Sequence, residues 1–394
     1  MIRQIETDSI YLDHAATTPV DPDVFRAIAP WFTNQFGNPS SIYQLGQESR
    51  TAMDSARAQC AMVLGCHPSE IVFTSGATES NNLALAGSVW AARGRLPGGS
   101  APHIVTTAIE HHAVLHKSEW PASIGLPPTV IPVNGLGVVD PAAIEAALRP
   151  ETVLVSVMYA NNETGAIQPI PEISAITRAR GIPLHTDAVQ AAGLLPIHVD
   201  ALGADLLSLS AHKFYGPKGV GLLYVRRGTP VSWQQLGGGQ ESGRRGGTEN
   251  VPLVVGMGAA LALAERDREE YARDCRNLRD LLLAEIDELV DGISLNGPEL
   301  GQHRLANNLN LTIDGVQGET VLLNLDIAGI AASAGSACTT GNSQPSHVLK
   351  AMGFSDDRCR SSIRLTVGRC NDDDQMVESA EGLADAVLRI RQLA

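Results

Sequence analysis

The sequence predicts an α/β protein with a mostly parallel sheet covered by helices, followed by a smaller α+β domain. Short β-rich segments alternate with helical segments from about residue 70 to residue 225, as in strands joined by helical crossovers. After a long helical segment the pattern changes, and no Pro/Ser-rich linker separates the two parts. A chain of 394 residues with 44% hydrophobic residues is long enough for two tightly associated domains.

Each part has recognisable elements. The predicted strands of the main sheet are 71–74, 103–107, 152–158, 182–186, 205–210 and 220–225. Pro252 begins a helical pattern that continues to about residue 290, with charges in its second half, which is typical of a helix that leaves the core for a second domain. The predicted elements that follow are strands 307–313 and 361–367, with helices 318–325, 346–352 and 372–393.

The composition limits the classes of partner. The net charge of −14, from 29 basic and 43 acidic residues, argues against direct binding to nucleic acid. The longest uncharged apolar segment, 251–264, is too short to span a bilayer, and the first residues lack a signal-peptide pattern. We therefore expect a cytoplasmic protein with no membrane contact. Six cysteines without a Cys-x-x-Cys pair indicate neither a zinc ribbon nor a disulfide framework.

A lysine and an aspartate follow two successive predicted strands. Lys213 comes after strand 205–210 and before a glycine-rich turn, and Asp187 ends the strand before it. The carboxyl ends of parallel strands meet at one edge of a sheet, where α/β proteins bind ligands. Pyridoxal phosphate (PLP) needs a lysine amine for a Schiff base and an acidic partner for its pyridine nitrogen, so the pair predicts a PLP enzyme. The alternative is a surface lysine and a helix-capping aspartate.

A turn of small residues at the start of a helix predicts a phosphate site. The turn follows strand 71–74, so its backbone N–H groups lie at the positive end of the helix. The candidate phosphate-binding residues at this edge are Ala77, Thr78, Ser210 and His212. The alternative is a plain threonine N-cap with Glu79 in the first turn. The turn lacks the Gly-Lys-Thr/Ser of a P-loop, which disfavours an NTPase.

Imidazole and amide side chains are predicted at the same edge. His111 begins a helix, where its ring could stack on a cofactor and move protons. Asn161 and Asn162 follow the third predicted strand, and Gln190 lies three residues after Asp187. An amide near the phenolic oxygen of PLP would stabilise its anionic form. Each amide could equally form a turn.

No metal site is expected. His112 and His116 lie four residues apart on one helical face, a spacing that can bind a metal. A third ligand and the His-Glu-x-x-His order are missing. We therefore expect a solvated histidine face.

Three further segments contain candidate functional residues. The glycine-rich segment 237–250 is expected to wrap a ligand or a neighbouring subunit, unless it is a flexible linker. Cys338 lies among small and polar residues, where a thiol could be a nucleophile or an incidental loop cysteine. Arg364 lies within an apolar strand and is expected to bind a substrate carboxylate or an internal carboxylate.

These segments together resemble the cysteine desulfurases of the NifS/IscS type, which are PLP-dependent enzymes of the fold type I, class V aminotransferase family. Ten motifs in the family's order cover nearly the whole chain: Tyr11-Leu-Asp-His-Ala-Ala-Thr-Thr-Pro, Phe36-Gly-Asn-Pro-Ser-Ser, Phe73-Thr-Ser-Gly-Ala-Thr-Glu-Ser-Asn-Asn, Glu110-His-His-Ala-Val, Asn161-Asn-Glu-Thr-Gly, His185-Thr-Asp-Ala-Val-Gln, Ser210-Ala-His-Lys, Gly246-Gly-Thr, Gly335-Ser-Ala-Cys and Ile363-Arg-Leu-Thr-Val-Gly-Arg. The resemblance implies a seven-stranded sheet in a large domain at 16–265. It implies a small domain formed by 1–15 and 266–394, with a catalytic loop at about 331–346.

The resemblance also implies roles for the cofactor site. Lys213 is expected to be the Schiff-base lysine, Asp187 the partner of the pyridine nitrogen, and Gln190 the donor to the phenolic oxygen. His111 is expected to stack on PLP and carry protons, with Asn162 also contacting the cofactor. The expected phosphate cup is Ala77, Thr78, Ser210 and His212, with Thr248 contributed across a homodimer interface.

The implied reaction takes sulfur from L-cysteine. Asn162 and Arg364 are expected to bind the substrate carboxylate, and Cys338 to take the sulfur as a persulfide, leaving L-alanine. The persulfide is expected to pass to a sulfur-acceptor protein, such as an iron–sulfur scaffold or a sulfur carrier. Cys338 could also transiently ligate a nascent iron–sulfur cluster. The alternatives are a selenocysteine lyase or aminotransferase of the same fold, which would not need Cys338, and a non-catalytic scaffold.

Overall fold

The structure is a computed structural model, and it describes residues 9–93, 95–96, 100–119, 128–334 and 345–393. The strands are β1 (Ile10–Tyr11), β2 (Ile71–Thr74), β3 (His103–Thr107), β4 (Thr129–Ile131), β5 (Thr152–Ser156), β6 (Leu184–Asp187), β7 (Leu206–Ser210), β8 (Gly221–Val225), β9 (Ile293–Leu295), β10 (Asn308–Ile313), β11 (Ile330–Ala331) and β12 (Ser362–Thr366). The helices are α1 (Pro22–Ile28), α2 (Gln44–Leu64), α3 (Ala77–Ala92), α4 (His112–Glu119), α5 (Pro141–Ala147), α6 (Ile170–Ala179), α7 (Val199–Leu202), α8 (Gln240–Gly243), α9 (Val251–Arg266), α10 (Arg268–Leu289), α11 (Gly318–Ile327), α12 (His347–Ala351), α13 (Asp356–Arg360) and α14 (Asp373–Leu393).

The main sheet has seven strands in the described part of the chain, in the order β2-β8-β7-β6-β5-β3-β4. The strands from β7 to β4 are parallel, and β8 is antiparallel to both β2 and β7. The mostly parallel sheet is therefore confirmed, as are all six predicted strands. β4 was not predicted, because a three-residue strand is too short to show a hydrophobic period.

The strands are buried because helices cover the sheet. Every residue of β2, β3, β6, β7 and β8 is buried, as expected for a sheet that is covered on both faces. His185 is one of three buried polar residues in β6, with Thr186 and Asp187. Its ring nitrogens contact the hydroxyls of Ser156 at 2.8 Å and Ser208 at 3.0 Å, one on each neighbouring strand.

A second core lies outside the main sheet. β12, β10 and β9 form an antiparallel sheet, and β1 pairs in parallel with β11. Apolar residues from β1, α10, β10, α11, β12 and α14 form one buried cluster. β1 thus joins the N-terminal segment to elements from the end of the chain. The division into domains at residues 15 and 265 remains a prediction.

The predicted single helix from Pro252 to about residue 290 is wrong, because α9 and α10 are separate helices that meet at Asp267. Asp267 has a φ of −97° and a ψ of 0°, and its carboxylate pairs with Arg266 at 2.6 Å and Arg369 at 3.5 Å. A one-residue break leaves the hydrophobic period almost unchanged, so periodicity alone could not locate it. None of the helices in the described ranges combines the length and the apolar character that crossing a membrane requires.

Candidate active site

A cavity of about 660 Å³ lies where the parallel strands of the main sheet end. The sequence-predicted residues that line it are Ala77, Thr78, His111, Asn162, Asp187, Gln190, Ser210, His212, Lys213 and Arg364. They come together because β2, β3, β5, β6 and β7 each deliver the residues after their carboxyl ends to the same edge. The structure thus places these residues on one cavity, while their individual roles remain predictions.

Lys213 lies in a 3₁₀ turn, 211–213, directly after β7. Its Nζ donates to the backbone oxygens of Ala15 at 2.6 Å and Ala16 at 2.7 Å. Lys213 is therefore not a surface lysine: its amine faces the cavity and contacts the N-terminal segment.

The turn after Lys213 contains strained backbone. Tyr215 has a φ of 64°, a left-handed conformation that costs a non-glycine residue about 1–3 kcal/mol. Its N–H donates to the Thr18 hydroxyl at 2.8 Å, and its own hydroxyl contacts that of Tyr271 at 3.1 Å. These contacts hold the strained turn, and with it the backbone that carries Lys213.

Asp187, the last residue of β6, presents a buried carboxylate to the cavity. One carboxylate oxygen accepts from the Asn81 side-chain amide at 2.6 Å, and the other accepts from the Val189 N–H at 3.1 Å. The second contact is local, but a turn rather than a helix follows at 189–194, so Asp187 is not the helix-capping aspartate of the alternative interpretation. The first contact orients the carboxylate toward the cavity, and the role of Asp187 toward a cofactor remains a prediction.

His111 has one ring nitrogen committed to the backbone. Its Nδ1 accepts from the Ala113 N–H at 3.0 Å, so the proton of the neutral ring is on Nε2. Burial lowers the pKa of His111, and the positive charge of Lys213 lowers it further, while Asp187 opposes the change. The ring is therefore neutral at neutral pH.

The predicted solvated histidine face is found in part, because His116 is exposed whereas His112 is only partly exposed. Their rings stack at 4.7 Å between centroids, and His112 also packs against His347 at 4.6 Å. The helix α12 brings His347 to this position, which no local pattern indicates. Within the described residues, no group of three or more His, Cys, Asp or Glu side chains is arranged to hold a metal ion.

The start of α3 forms the glycine-containing wall of the cavity. A Cβ at Gly76 would meet only the Ser210 hydroxyl, at 3.9 Å, so the wall is open in front of the helix N-terminus. His212 contacts the Thr17 hydroxyl through Nδ1 at 3.1 Å, and burial together with Lys213 and Lys218 lowers the pKa of His212 to about 4. Lys218 also lines the cavity and was not predicted.

The side chains of the amide candidates have different surroundings. The Asn161 side chain donates to the Ile109 carbonyl at 3.0 Å and accepts from the Glu163 N–H at 2.9 Å, so it forms the local turn. Asn162 lines the cavity instead. Gln190 donates from Nε2 to the Ala15 carbonyl at 3.0 Å, beside the Lys213 contact.

Arg364 has the internal carboxylate partner that one interpretation required, and its role toward a substrate carboxylate remains a prediction. Its Nη2 donates to Asp13 Oδ1 at 2.6 Å, so an internal carboxylate partner exists. Its Nη1 donates to the Asn162 carbonyl at 2.9 Å, and the residue lines the cavity. Arg364 therefore combines an internal ion pair with a position on the cavity wall.

Two predicted residues are not placed in the cavity. Thr248 lines a neighbouring cavity of about 250 Å³, which shares Ser75 and Gly219 with the main one. Cys338 lies in 335–344, outside the described residues.

Sequence reasoning missed the residues that hold the predicted ones in place. Asp13, Ala15 and Ala16 lie in the Tyr11-Leu-Asp-His-Ala-Ala motif, which carried a family resemblance but no assigned role. Asn81 lies four residues after Ala77 and is one turn along α3. That spacing, and its place in the motif that begins at Phe73, were signs that it could face the same cavity.

The fold and this cavity define the class of protein. The aminotransferase class-V family model matches residues 10–377, and the chain belongs to this family. Within it, the chain is 45% identical over 359 residues to "Cysteine desulfurase IscS" of Dictyoglomus turgidum, covering 91% of this chain and 89% of that one.

Solved structures agree with this assignment. A structure titled "NifS-like protein" has a TM-score of 0.90 and 34% identity, covering 97% of this chain and 100% of that chain. A second, "SspA in complex with cysteine", has a TM-score of 0.80 and 35% identity, covering 92% of this chain and 100% of that chain. The expected α/β fold is confirmed over nearly the whole chain.

Proposed function

We propose that this chain is a PLP-dependent cysteine desulfurase, which removes sulfur from L-cysteine, releases L-alanine and holds the sulfur as a persulfide on Cys338. The observation that carries the proposal is that Lys213 and Asp187 line one cavity together with Arg364. The 45% identity to a protein named cysteine desulfurase supports the reaction, and a solved relative in complex with cysteine supports the substrate.

The residues of the cavity fit PLP. The buried Asp187 carboxylate, oriented by Asn81 at 2.6 Å, can accept a hydrogen bond from the pyridine nitrogen of PLP and so keep that nitrogen protonated. The start of α3, a helix of 16 residues, with the open wall at Gly76, offers N–H donors to a phosphate. Lys213 supplies the amine that would hold the aldehyde carbon. We propose Thr78, Ser210 and His212 as further phosphate donors and Gln190 as the donor to the phenolic oxygen.

The chemistry that PLP supplies when bound is withdrawal of electrons from the substrate Cα. We propose that the Lys213 amine moves the proton at that carbon. His111 exchanges protons through Nε2, because its Nδ1 accepts from the backbone. Asn162 and Arg364 hold the α-carboxylate, which orients the Cβ–S bond within the cavity.

Cys338 is proposed as the nucleophile. Its thiolate attacks the substrate sulfur, an S–S bond forms as the Cβ–S bond breaks, and the released electron pair with a proton completes the methyl group of L-alanine. The described cysteines are poor substitutes: Cys60, Cys275, Cys359 and Cys370 are buried, and burial raises the pKa of Cys66 to about 12.

We further propose a homodimer. Large apolar side chains are exposed along residues 25–45, and a monomer would leave this surface in water. They are Phe25, Phe32, Phe36, Ile42, Tyr43 and Leu45. Thr248 lies in the neighbouring cavity rather than the main one, which supports its proposed contribution to the site of a partner subunit.

The name IscS of the relatives supports iron–sulfur cluster assembly as the use of the sulfur. We propose a sulfur-acceptor protein, such as an iron–sulfur scaffold or a sulfur carrier, as the partner. The five described cysteines are free thiols, which supports a reducing compartment such as the cytoplasm.

The test is stoichiometric. PLP-loaded protein incubated with L-cysteine and a thiol reductant should release equal amounts of L-alanine and sulfide, and without reductant the Cys338 peptide should gain one sulfur by mass spectrometry. Cys338→Ser should retain the visible absorbance of the bound cofactor yet release no sulfide. Lys213→Ala should lose that absorbance.

Cys66→Ser is the matched control, because it makes the same substitution at a thiol remote from the cavity, and it should desulfurate at the wild-type rate. Undiminished sulfide release by Cys338→Ser would exclude the persulfide step. Protein that stays colourless with added PLP would exclude the PLP assignment.

A further inference from the structure

Arg364 brings a buried positive charge to the cavity. Its side chain is only 3% exposed, and a charge buried to that degree requires a charged or strongly polar partner. The partner in the structure is Asp13, whose Oδ1 accepts from Nη2 at 2.6 Å. The Asn162 carbonyl accepts from Nη1 at 2.9 Å, so each end of the guanidinium fork has a defined contact.

Both members of the pair are placed by backbone pairing. Arg364 lies within β12, where it pairs with Asn310 of β10 on one side and bridges to Ser333 on the other. Asp13 bridges in parallel to Thr366, two residues along the same strand. The carboxylate is therefore held on the strand that carries the arginine, and a geometry set by two backbones is not an incidental surface contact.

We infer that Asp13 is a positioning residue for the reaction: it holds the Arg364 guanidinium in the orientation that binds the α-carboxylate of the amino-acid substrate. The inference rests on the proposed function, because it takes Arg364 as the carboxylate binder. A guanidinium has five N–H donors in a planar fork, so it can hold a substrate carboxylate in addition to these two contacts. Without Asp13, Nη2 loses its fixed partner and the Asn162 carbonyl alone orients the guanidinium.

A second ion pair joins the same parts of the chain and provides the comparison. Asp21 accepts from Arg369 Nη1 at 2.9 Å. This pair also joins the N-terminal segment to the β12 region, because Arg369 lies three residues after the end of β12. Arg369 also pairs with Asp267 at 3.5 Å and lies 4.7 Å from the centre of the Tyr215 ring. Arg369 does not line the 660 Å³ cavity, whereas Arg364 does. The two pairs are alike in chemistry and differ in that Arg364 lines the 660 Å³ cavity, whereas Arg369 lines a smaller pocket beside Lys213.

The experiment compares Asp13→Asn with Asp21→Asn in the PLP-loaded protein. Asparagine is as good an N-cap as aspartate, so Asp21→Asn weakens its ion pair without uncapping α1. Loss of a charge-assisted hydrogen bond should raise the KM for L-cysteine about tenfold in Asp13→Asn, while kcat changes less than about threefold. Asp21→Asn should stay within about twofold of wild type in both parameters.

Equilibrium binding gives a readout that does not require turnover. L-Alanine has the substrate's carboxylate but no sulfur, and its binding can be followed through the visible absorbance of the cofactor. Its dissociation constant should rise about tenfold in Asp13→Asn and return toward the wild-type value in Asp13→Glu, which restores the charge. In an Arg364→Ala background, Asp13→Asn should have no further effect, because the pair is already absent.

The outcomes separate this inference from the proposed function. Absence of sulfide release in the wild type would exclude the desulfurase, whereas the L-alanine titration still measures what Asp13 does. The inference is wrong if Asp13→Asn binds L-alanine as the wild type does, or if Asp13→Glu does not rescue it. Tighter binding by Asp13→Asn would also overturn it, because Asp13 would then compete with the substrate carboxylate. A wild type that does not bind L-alanine would overturn it as well.

Discussion

Glu110 is a fully buried carboxyl group, and replacing it with glutamine should change how stability depends on pH. Its Oε1 accepts from the Thr107 hydroxyl at 2.7 Å and from the Met158 N–H at 2.9 Å. Burial raises the pKa of Glu110 from 4.5 to about 8; the two hydrogen bonds lower it, and the nearby charge of Asp187 raises it.

The direction of the effect follows from proton release. Below pH 4.5 both the folded and the unfolded chain hold this proton, and the stabilisation is complete. As the pH rises toward 8, the unfolded chain releases the proton that the folded chain retains, so the free energy of unfolding falls. At about 1.4 kcal/mol per pH unit, the loss is roughly 3 kcal/mol at pH 7 and about 5 kcal/mol above pH 8.

Glu110→Gln keeps an oxygen for the two donors but cannot ionise. Its new amide group takes the place of Oε2, which has no hydrogen-bond partner among the described residues, and this costs about 1–3 kcal/mol at every pH. At pH 5 the wild type should therefore have the higher free energy of unfolding. As the pH rises to 8.5, the difference between wild type and variant should shrink and then change sign.

The assay is urea unfolding of wild type and Glu110→Gln at half-unit steps of pH, with Glu288→Gln as the control. Glu288 is exposed on α10, so its replacement makes the same chemical change at the surface. The informative quantity is the difference between the curves, because other titrating groups contribute equally to both proteins. Parallel curves for wild type and Glu110→Gln would refute the reasoning.

Three further changes have expected outcomes. Asn81→Leu removes the 2.6 Å hydrogen bond to Asp187 and should weaken PLP binding about tenfold in a titration of the cofactor-free protein. An unchanged affinity would show that this hydrogen bond does not orient Asp187 for the cofactor. Glu241→Gln breaks the buried pair with Arg57, whose side chains are 3% and 14% exposed, and should lower the free energy of unfolding by about 3 kcal/mol, measured as a shift of the urea midpoint; a shift within the range of surface substitutions would contradict this. Burial lowers the pKa of His185 from 6.5 to about 3, so its stabilisation is complete above pH 6.5 and is lost as the pH falls toward 3. His185→Asn should make the melting temperature less dependent on pH across that range, and an unchanged slope would count against the assignment.

The sequence predicted the main sheet well because its longer strands are rich in β-branched and apolar residues and alternate with helical segments. β3 is an example, since four of its five residues are isoleucine, valine or threonine. β4 and β9 have three residues each, and β1 and β11 have two, so no period can be read from them. Short strands are defined by their partners, which lie far away in the chain.

Site residues could be predicted where their position relative to a neighbouring strand in the sequence was enough to place them. Lys213 and Asp187 follow strands directly, and strand ends of a parallel sheet share one edge, so the sequence indicates their proximity. The contact of Asn81 with Asp187 could not be predicted in this way, because the two residues are 106 positions apart and meet only where α3 packs against the end of β6. The position of Asp13 beside Arg364 likewise depends on the pairing of the N-terminal segment with β12.

By itself, the sequence determined the α/β class and the kinds of chemistry available, because strand periodicity and the residues after each strand are local properties. The tertiary structure alone decided what those residues contact. Asp13 and Arg364 are 351 positions apart, and Lys213 reaches a carbonyl 198 positions away. Contacts of that range depend on how the two cores pack and on which strands pair, and no local pattern of residues encodes either.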